Sequence, residues 1–176
     1  IIDGSLNGGF SLTTAASAPA AGDLCDNAPA PITATTAFSD TLTGFVDQYR
    51  PGGLPSACRY ANGPDRVYAV TLPAGRRLTA TIIADGAWDP ALSVVLAPAS
   101  NCSASTCLTG VDSVGSADTV RYSNRSAATQ DVFLVVDGSA GAAGFDVTLV
   151  IDNAPMLPVG DVCDNAPAPI TATTTL

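Results

Sequence analysis

Histidine, lysine and glutamate are all missing from this sequence: its 16 acidic residues are all Asp and its 7 bases are all Arg. Without His, neither a Ser–His–Asp nor a Cys–His relay can be built. Without Lys, Schiff-base chemistry is excluded. Two Asp would still make an acid/base dyad. However, Asp40-Thr41 is followed by Leu42 rather than Gly, so the aspartic-protease signature is not met. Zinc is poorly served, with no His and no CxxC pair. No run of about 18 apolar residues occurs, so no segment reads as a membrane-spanning helix. Positive charge is scarce too. A net charge of −9 argues against nucleic acid, which needs a basic face, and against anionic lipid surfaces.

Losing Glu and Lys also removes two good surface helix formers. What remains is rich in Thr, Val, Ala, Ser, Gly and Pro, which suits strands and turns. The Asp bias also reads as a composition habit of the source genome.

The most informative feature is a repeat. GDLCDNAPAPITATT, Gly22 to Thr36, returns as GDVCDNAPAPITATT, Gly160 to Thr174, 138 residues later. IIDGS at 1–5 echoes VVDGS at 135–139, and GFSLT at 9–13 echoes GFDVT at 144–148. The expected organisation is a cutting from a tandem array. Residues 1–14 close a preceding unit, 15–21 form a linker, 22–152 make one complete unit, 153–159 form a second linker, and 160–176 open the next unit. Ile1 enters in mid-strand, so any targeting segment is expected upstream.

Five cysteines follow the same period. Cys163 is Cys25 one unit later, so one unit owns Cys25, Cys58, Cys102 and Cys107. An even count per unit points to an oxidising, extracytoplasmic setting. The expected pairs are Cys102–Cys107 across the short NCSASTC loop and Cys25–Cys58, with Cys163 unpaired within this segment. Spacing alone leaves other connectivities open.

The alternation of apolar residues predicts the strands. Ile32 to Phe38 reads as a first strand and Thr41 to Val46 as a second. RVYAVTL and RLTATII, joined by the turn signal PAG at 73–75, read as a hairpin. Leu92, Val94 and Leu96 mark an inward face, and Val120 and Tyr122 another. DVFLVVDG, nearly all apolar, reads as central, and GFDVTLVI directs Phe145, Val147, Leu149 and Ile151 to the core. Eight or nine short strands without a helical period predict an all-β antiparallel sandwich of jelly-roll type.

PDRVYAVTLPAGRRLTATI, WDPALSVVL, a C…C loop, TVRYSN, DVFLVVDG and GFDVTLVI occur in an order that resembles the bacterial pre-peptidase C-terminal (PPC) domain. The opening GDLCDNA resembles the GDxCxxA start of the Cys-containing, tandemly repeated variety in large secreted proteins of myxobacteria and their relatives. The resemblance spans 22–152. It implies a jelly-roll β-sandwich, export, and an accessory role in binding or display. Some relatives bind calcium or collagen. The calcium ligands of those relatives include Glu, absent here, so that site is not carried over.

Weaker site signals remain. Asp112 and Asp118 in GVDSVGSAD, and Asp23 and Asp26 near the module junction, are hard-oxygen candidates for calcium; the plainer reading is turn and capping Asp. Asn101 and Asn124 fit the N-glycosylation pattern, which is a coincidence if the source is bacterial. Trp88, Tyr49 and Tyr60 are the loop aromatics that a glycan-binding face would use, and packing roles suit them equally.

Two functions compete, with no catalytic residue in either. One is a structural module of a secreted or cell-surface fibre, filament or stalk, whose partners are neighbouring repeats or other copies of the chain. The other is an accessory domain that binds substrate, glycan or collagen for a secreted enzyme or adhesin.

Overall fold

A computed structural model describes residues 18–49, 58–59, 61–97, 102, 107–139, 141 and 143–156. The expected strand at 1–14, the segment 160–176, Cys163, Tyr60 and Asn101 lie outside the described residues, as do parts of both linkers. The described strands are β1 (Thr36–Thr41), β2 (Asp65–Leu72), β3 (Arg76–Ala84), β4 (Pro90–Leu96), β5 (Cys107–Val111), β6 (Ala117–Ser123), β7 (Gln130–Gly138) and β8 (Gly144–Asn153). A 3-10 turn over Cys25–Asn27 precedes them.

The strands form two antiparallel sheets, β1-β8-β3-β6 and β2-β7-β4-β5. That interleaving of early and late strands is the jelly-roll order, so the expected fold class is the observed one. The main core lies between the sheets. Tyr68, Val70 and Leu72 of β2, Leu92 and Val94 of β4, and Val132, Leu134 and Val136 of β7 project from one side. Leu78, Ala80 and Ile82 of β3, Val120 of β6, and Phe145, Val147 and Leu149 of β8 meet them from the other. Each fully buried aliphatic or Phe side chain is worth about 1.5–3 kcal/mol relative to exposure.

Four local expectations are corrected. RVYAVTL and RLTATII are not a hairpin: β2 pairs with β7, whereas β3 pairs with β6 and β8. The turn between them is pinned elsewhere, because the Gly75 N–H donates to the Asn124 carbonyl at 2.9 Å and its carbonyl accepts from Ala154 at 2.9 Å. The two apolar faces thus meet across the core instead of lying side by side. The first strand begins at Thr36, and Ile32 makes only an isolated parallel bridge to Val70. Beyond Leu42 the chain is not a strand, since Gly44 takes φ +90 and carboxylates capture the backbone N–H groups that follow. Finally, β5 forms where only a loop was expected, paired to β4 with a register shift at Val94/Val95.

β7 is central, between β2 and β4. It is buried on both faces, which is why DVFLVVDG shows no alternation. Its outward residues Phe133 and Val135 join Val67 and Val95 in a second cluster. Covering segments supply Cys25, Tyr49, Cys58 and Cys102. One sheet of the sandwich therefore carries an additional layer on its outer face.

Candidate functional site

That covered outer face is the most structured polar region of the unit. Two disulfides hold the cover down: Cys25–Cys102, with Cα atoms 5.4 Å apart, and Cys58–Cys107, 5.8 Å apart. They close sequence separations of 77 and 49 residues. The expected pairs, Cys102–Cys107 and Cys25–Cys58, are thus exchanged. The reason is placement. Cys107 opens β5 beside Val95, and the 58–59 segment is seated on β4, with the Arg59 N–H donating to Ser93 Oγ at 3.0 Å and Ser93 Oγ donating back to the Arg59 carbonyl at 2.9 Å. Cys58 is thereby delivered to Cys107.

Asp65 opens β2 and Asp137 lies near the end of β7, and they are direct cross-strand partners. By strand parity they share the outer face with Val67 and Val135. Each is only 1% exposed. Asp65 Oδ2 accepts the N–H groups of Gln48 and Tyr49, both at 2.6 Å. Asp137 Oδ2 accepts the N–H of Ala61 at 2.6 Å. Both Oδ1 atoms are buried without a hydrogen-bond partner. The Tyr49 phenol is buried in the same cluster, close enough to feel both carboxyls, and its pKa is raised chiefly by burial.

Burial is the main force raising both carboxyl pKa values. For Asp137 the neighbouring charge of Asp65 comes next. For Asp65 the Tyr49 and Gln48 N–H bonds oppose the rise and Asp47 adds to it. A recess of about 250 Å³ lies against this cluster, lined by Asp23, Cys25, Gln48, Tyr49, Asp65 and Cys102 among others. Chemically the arrangement grips backbone. The Oδ2 atoms are committed to N–H groups and the Oδ1 atoms are buried.

Two of the four calcium candidates, Asp23 and Asp118, are buried and accept backbone N–H groups. Asp23 is buried and its Oδ1 accepts the Val46 N–H at 2.9 Å, while Asp26 is exposed. Asp118 is buried, with both oxygens 3.2 Å from the Ser113 N–H, and Asp112 is exposed. Burial raises the Asp118 pKa, opposed by Ser113. Among the described residues no group of three or more His, Cys, Asp or Glu is placed to hold a metal.

Of the three aromatic candidates, Trp88 and Tyr49 are turned inward, and Tyr60 lies outside the described residues. Trp88 is 7% exposed, donates its indole N–H to the Gly144 carbonyl at 3.2 Å, and stacks edge-on with Phe145. Tyr49 is buried. The Trp88 ring packs between the sheets, whereas Tyr49 packs under the cover on the outer face. Asn124, the sequon residue, is fully buried; its amide donates to the Leu72 and Ala128 carbonyls, both at 2.8 Å.

The Asp65–Asp137 pair was not anticipated from sequence. Its one available signal is parity: counting by two from Val67 and Val135 puts both Asp on an apolar face that must be covered.

No protein-family model matches the chain, and no curated protein matches it. Some solved structures are similar in shape. The pre-peptidase C-terminal domain of the collagenase from Bacillus anthracis is 13% identical with a TM-score of 0.41, over 69% of this chain and 92% of that one. The module CsCBM6-3 from Clostridium stercorarium, solved with cellobiose, is 15% identical with a TM-score of 0.36, over 72% and 99%. A glycoside hydrolase family 43 arabinoxylan arabinofuranohydrolase from Bacillus subtilis is 12% identical with a TM-score of 0.38, over 71% of this chain and 28% of that one. Likeness of this depth carries nothing about ligand or role, and the assignment as an antiparallel jelly-roll sandwich rests on the strand order of the chain itself.

Proposed function

We propose that this unit is a non-catalytic, extracytoplasmic β-sandwich module of PPC type, serving as a rigid spacer in a longer, repeated secreted or surface-displayed chain. The observation behind this reading is the cover clamped to one sheet by Cys25–Cys102 and Cys58–Cys107. Long-range bridges of that kind belong to oxidising compartments and harden a small domain against unfolding and proteolysis. The repeat of the Cys25 segment around Cys163 adds the expectation of identical neighbours in series. Modules linked this way behave as a one-dimensional string, stiff where neighbours touch.

The test is direct imaging of the protein isolated from its source, with intact mass measured alongside. Rods or fibres with a regular axial repeat, softened by reductant, support the reading. Single particles of one module's mass overturn it.

A second reading, an accessory binding module, is favoured by one feature. Where the cover ends, the outer face carries a shallow recess of about 300 Å³ lined by Pro31, Ala69, Thr71, Ala97, Asp131 and Phe133 among others. Binding to a glycan or collagen array that Asp131→Ala abolishes, with the melting temperature retained, promotes this alternative.

A further inference from the structure

Asp65 and Asp137 face each other from adjacent strands, each almost fully buried. Neither can turn away, because three backbone N–H groups hold their Oδ2 atoms at 2.6 Å. Their Oδ1 atoms are left buried without a donor, on side chains carried by directly paired positions of β2 and β7. Among the described residues no Arg forms an ion pair with either. Two ionised carboxylates so placed would repel each other and leave two bare anionic oxygens out of water. One proton removes both defects at once: the acid O–H donates to the facing carboxylate.

We infer that Asp65 and Asp137 retain a single shared proton between their Oδ1 atoms at neutral pH, and that this proton latches Gln48, Tyr49 and Ala61 of the cover onto the sheet. The inference is independent of the role assigned to the module. The surroundings agree with it. The 42–49 segment brings Asp47 and the Tyr49 phenol towards the pair, and Asp23 of the 18–28 segment lines the same recess. β4 contributes the Ser93 hydroxyl, already held by Arg59, whose own side chain is exposed. Among the described residues the outside charge acting on the pair is that of Asp47, and it favours keeping a proton.

The linkage has a definite sign. Both carboxyls titrate above their unfolded values, so the folded pair holds protons that the unfolded chain has released. Its contribution to stability is complete below the ordinary carboxylate value of about 4 and is lost as pH rises through the folded values. The cover loosens in alkali, not in acid.

The experiment uses the oxidised 176-residue chain. Infrared spectra at neutral pH are expected to show a buried protonated carboxyl band, and thermal melts from about pH 5 to about pH 9 a falling Tm. Asp137→Asn places a carboxamide N–H where the proton sat, so it should fold, lose the band and flatten the pH slope. Asp65→Asn is the second variant, and the native infrared band decides the matter if neither variant folds. Absence of the band overturns the inference, as does a pH slope equal in native and variant proteins. A gain in native Tm on adding millimolar calcium that abolishes the slope also overturns it, since a cation would then be the bridge.

Discussion

The Tyr68 hydroxyl of β2 donates to Asp40 Oδ2 of β1 at 2.7 Å, joining the two sheets through a polar bond at the margin of an apolar core. The same oxygen accepts Arg66 Nε at 3.0 Å. The Arg66 guanidinium also lies over the Phe45 ring, 4.4 Å from its centre. Removing the shared acceptor strands two donors, so Asp40→Ala should destabilise by about 2–3 kcal/mol and Tyr68→Phe by about 1 kcal/mol. Burial first, and Asp40 second, push the Tyr68 phenol pKa upward. Ultraviolet titration should therefore find Tyr68 unionised until the protein unfolds in alkali. Denaturant melts of the two variants check the energies, and equal losses would dissociate Arg66 from the cluster.

The disulfide connectivity makes a second prediction. Non-reducing peptide mapping should recover Cys25 linked to Cys102 and Cys58 linked to Cys107. Chain-entropy reasoning assigns each bridge about 4 kcal/mol, given the long loops they close. Cys25→Ser with Cys102→Ser should expose the covering layer to protease before the sandwich itself melts. Recovery of a Cys102–Cys107 peptide would refute the arrangement.

Trp88 tests the assignment of its ring to the core. Trp88→Ala should cost about 3–5 kcal/mol, the range for truncating a buried aromatic. Native tryptophan fluorescence should be blue-shifted and indifferent to added oligosaccharide. Quenching by a glycan, with stability intact in the alanine variant, would return Trp88 to the surface.

Gly63 and Asn124 serve the loops at opposite ends of β2. A Cβ on Gly63 would collide with the Gly138 carbonyl and stand 2.7 Å from that of Ser139. Gly63→Ala should thus destabilise by about 1–3 kcal/mol, the usual range for overpacking. Asn124 donates to Leu72 and Ala128 and accepts from Ser126, so Asn124→Ala should lose about 2–3 kcal/mol through unpaired buried groups. Mass spectrometry of secreted protein from a glycosylating host should find Asn124 unmodified in the folded form.

Much of the sandwich was legible in the alternation of residues. Tyr68-Val70-Leu72, Leu78-Ala80-Ile82 and Phe145-Val147-Leu149 each declare one apolar face, because successive side chains in a strand point to opposite sides. That parity does not say which faces meet. The run through PAG looks the same whether β2 and β3 lie edge to edge or oppose each other across the core. β5 was hidden because its five residues are all half-buried and show no contrast between faces.

The amino-acid order alone determined that this protein is built from strands, that its core faces alternate, that His- and Lys-dependent chemistry is closed to it, and that one segment recurs. Those properties are local: they need only side-chain chemistry and a two-residue period. Tertiary structure alone decided which cysteines meet, why Trp88 is inside, and why Asp65 and Asp137 stand opposed. Such partners lie tens of residues apart in the chain, and only the long-range pairing of β2 with β7 and of β4 with β5 brings them within reach.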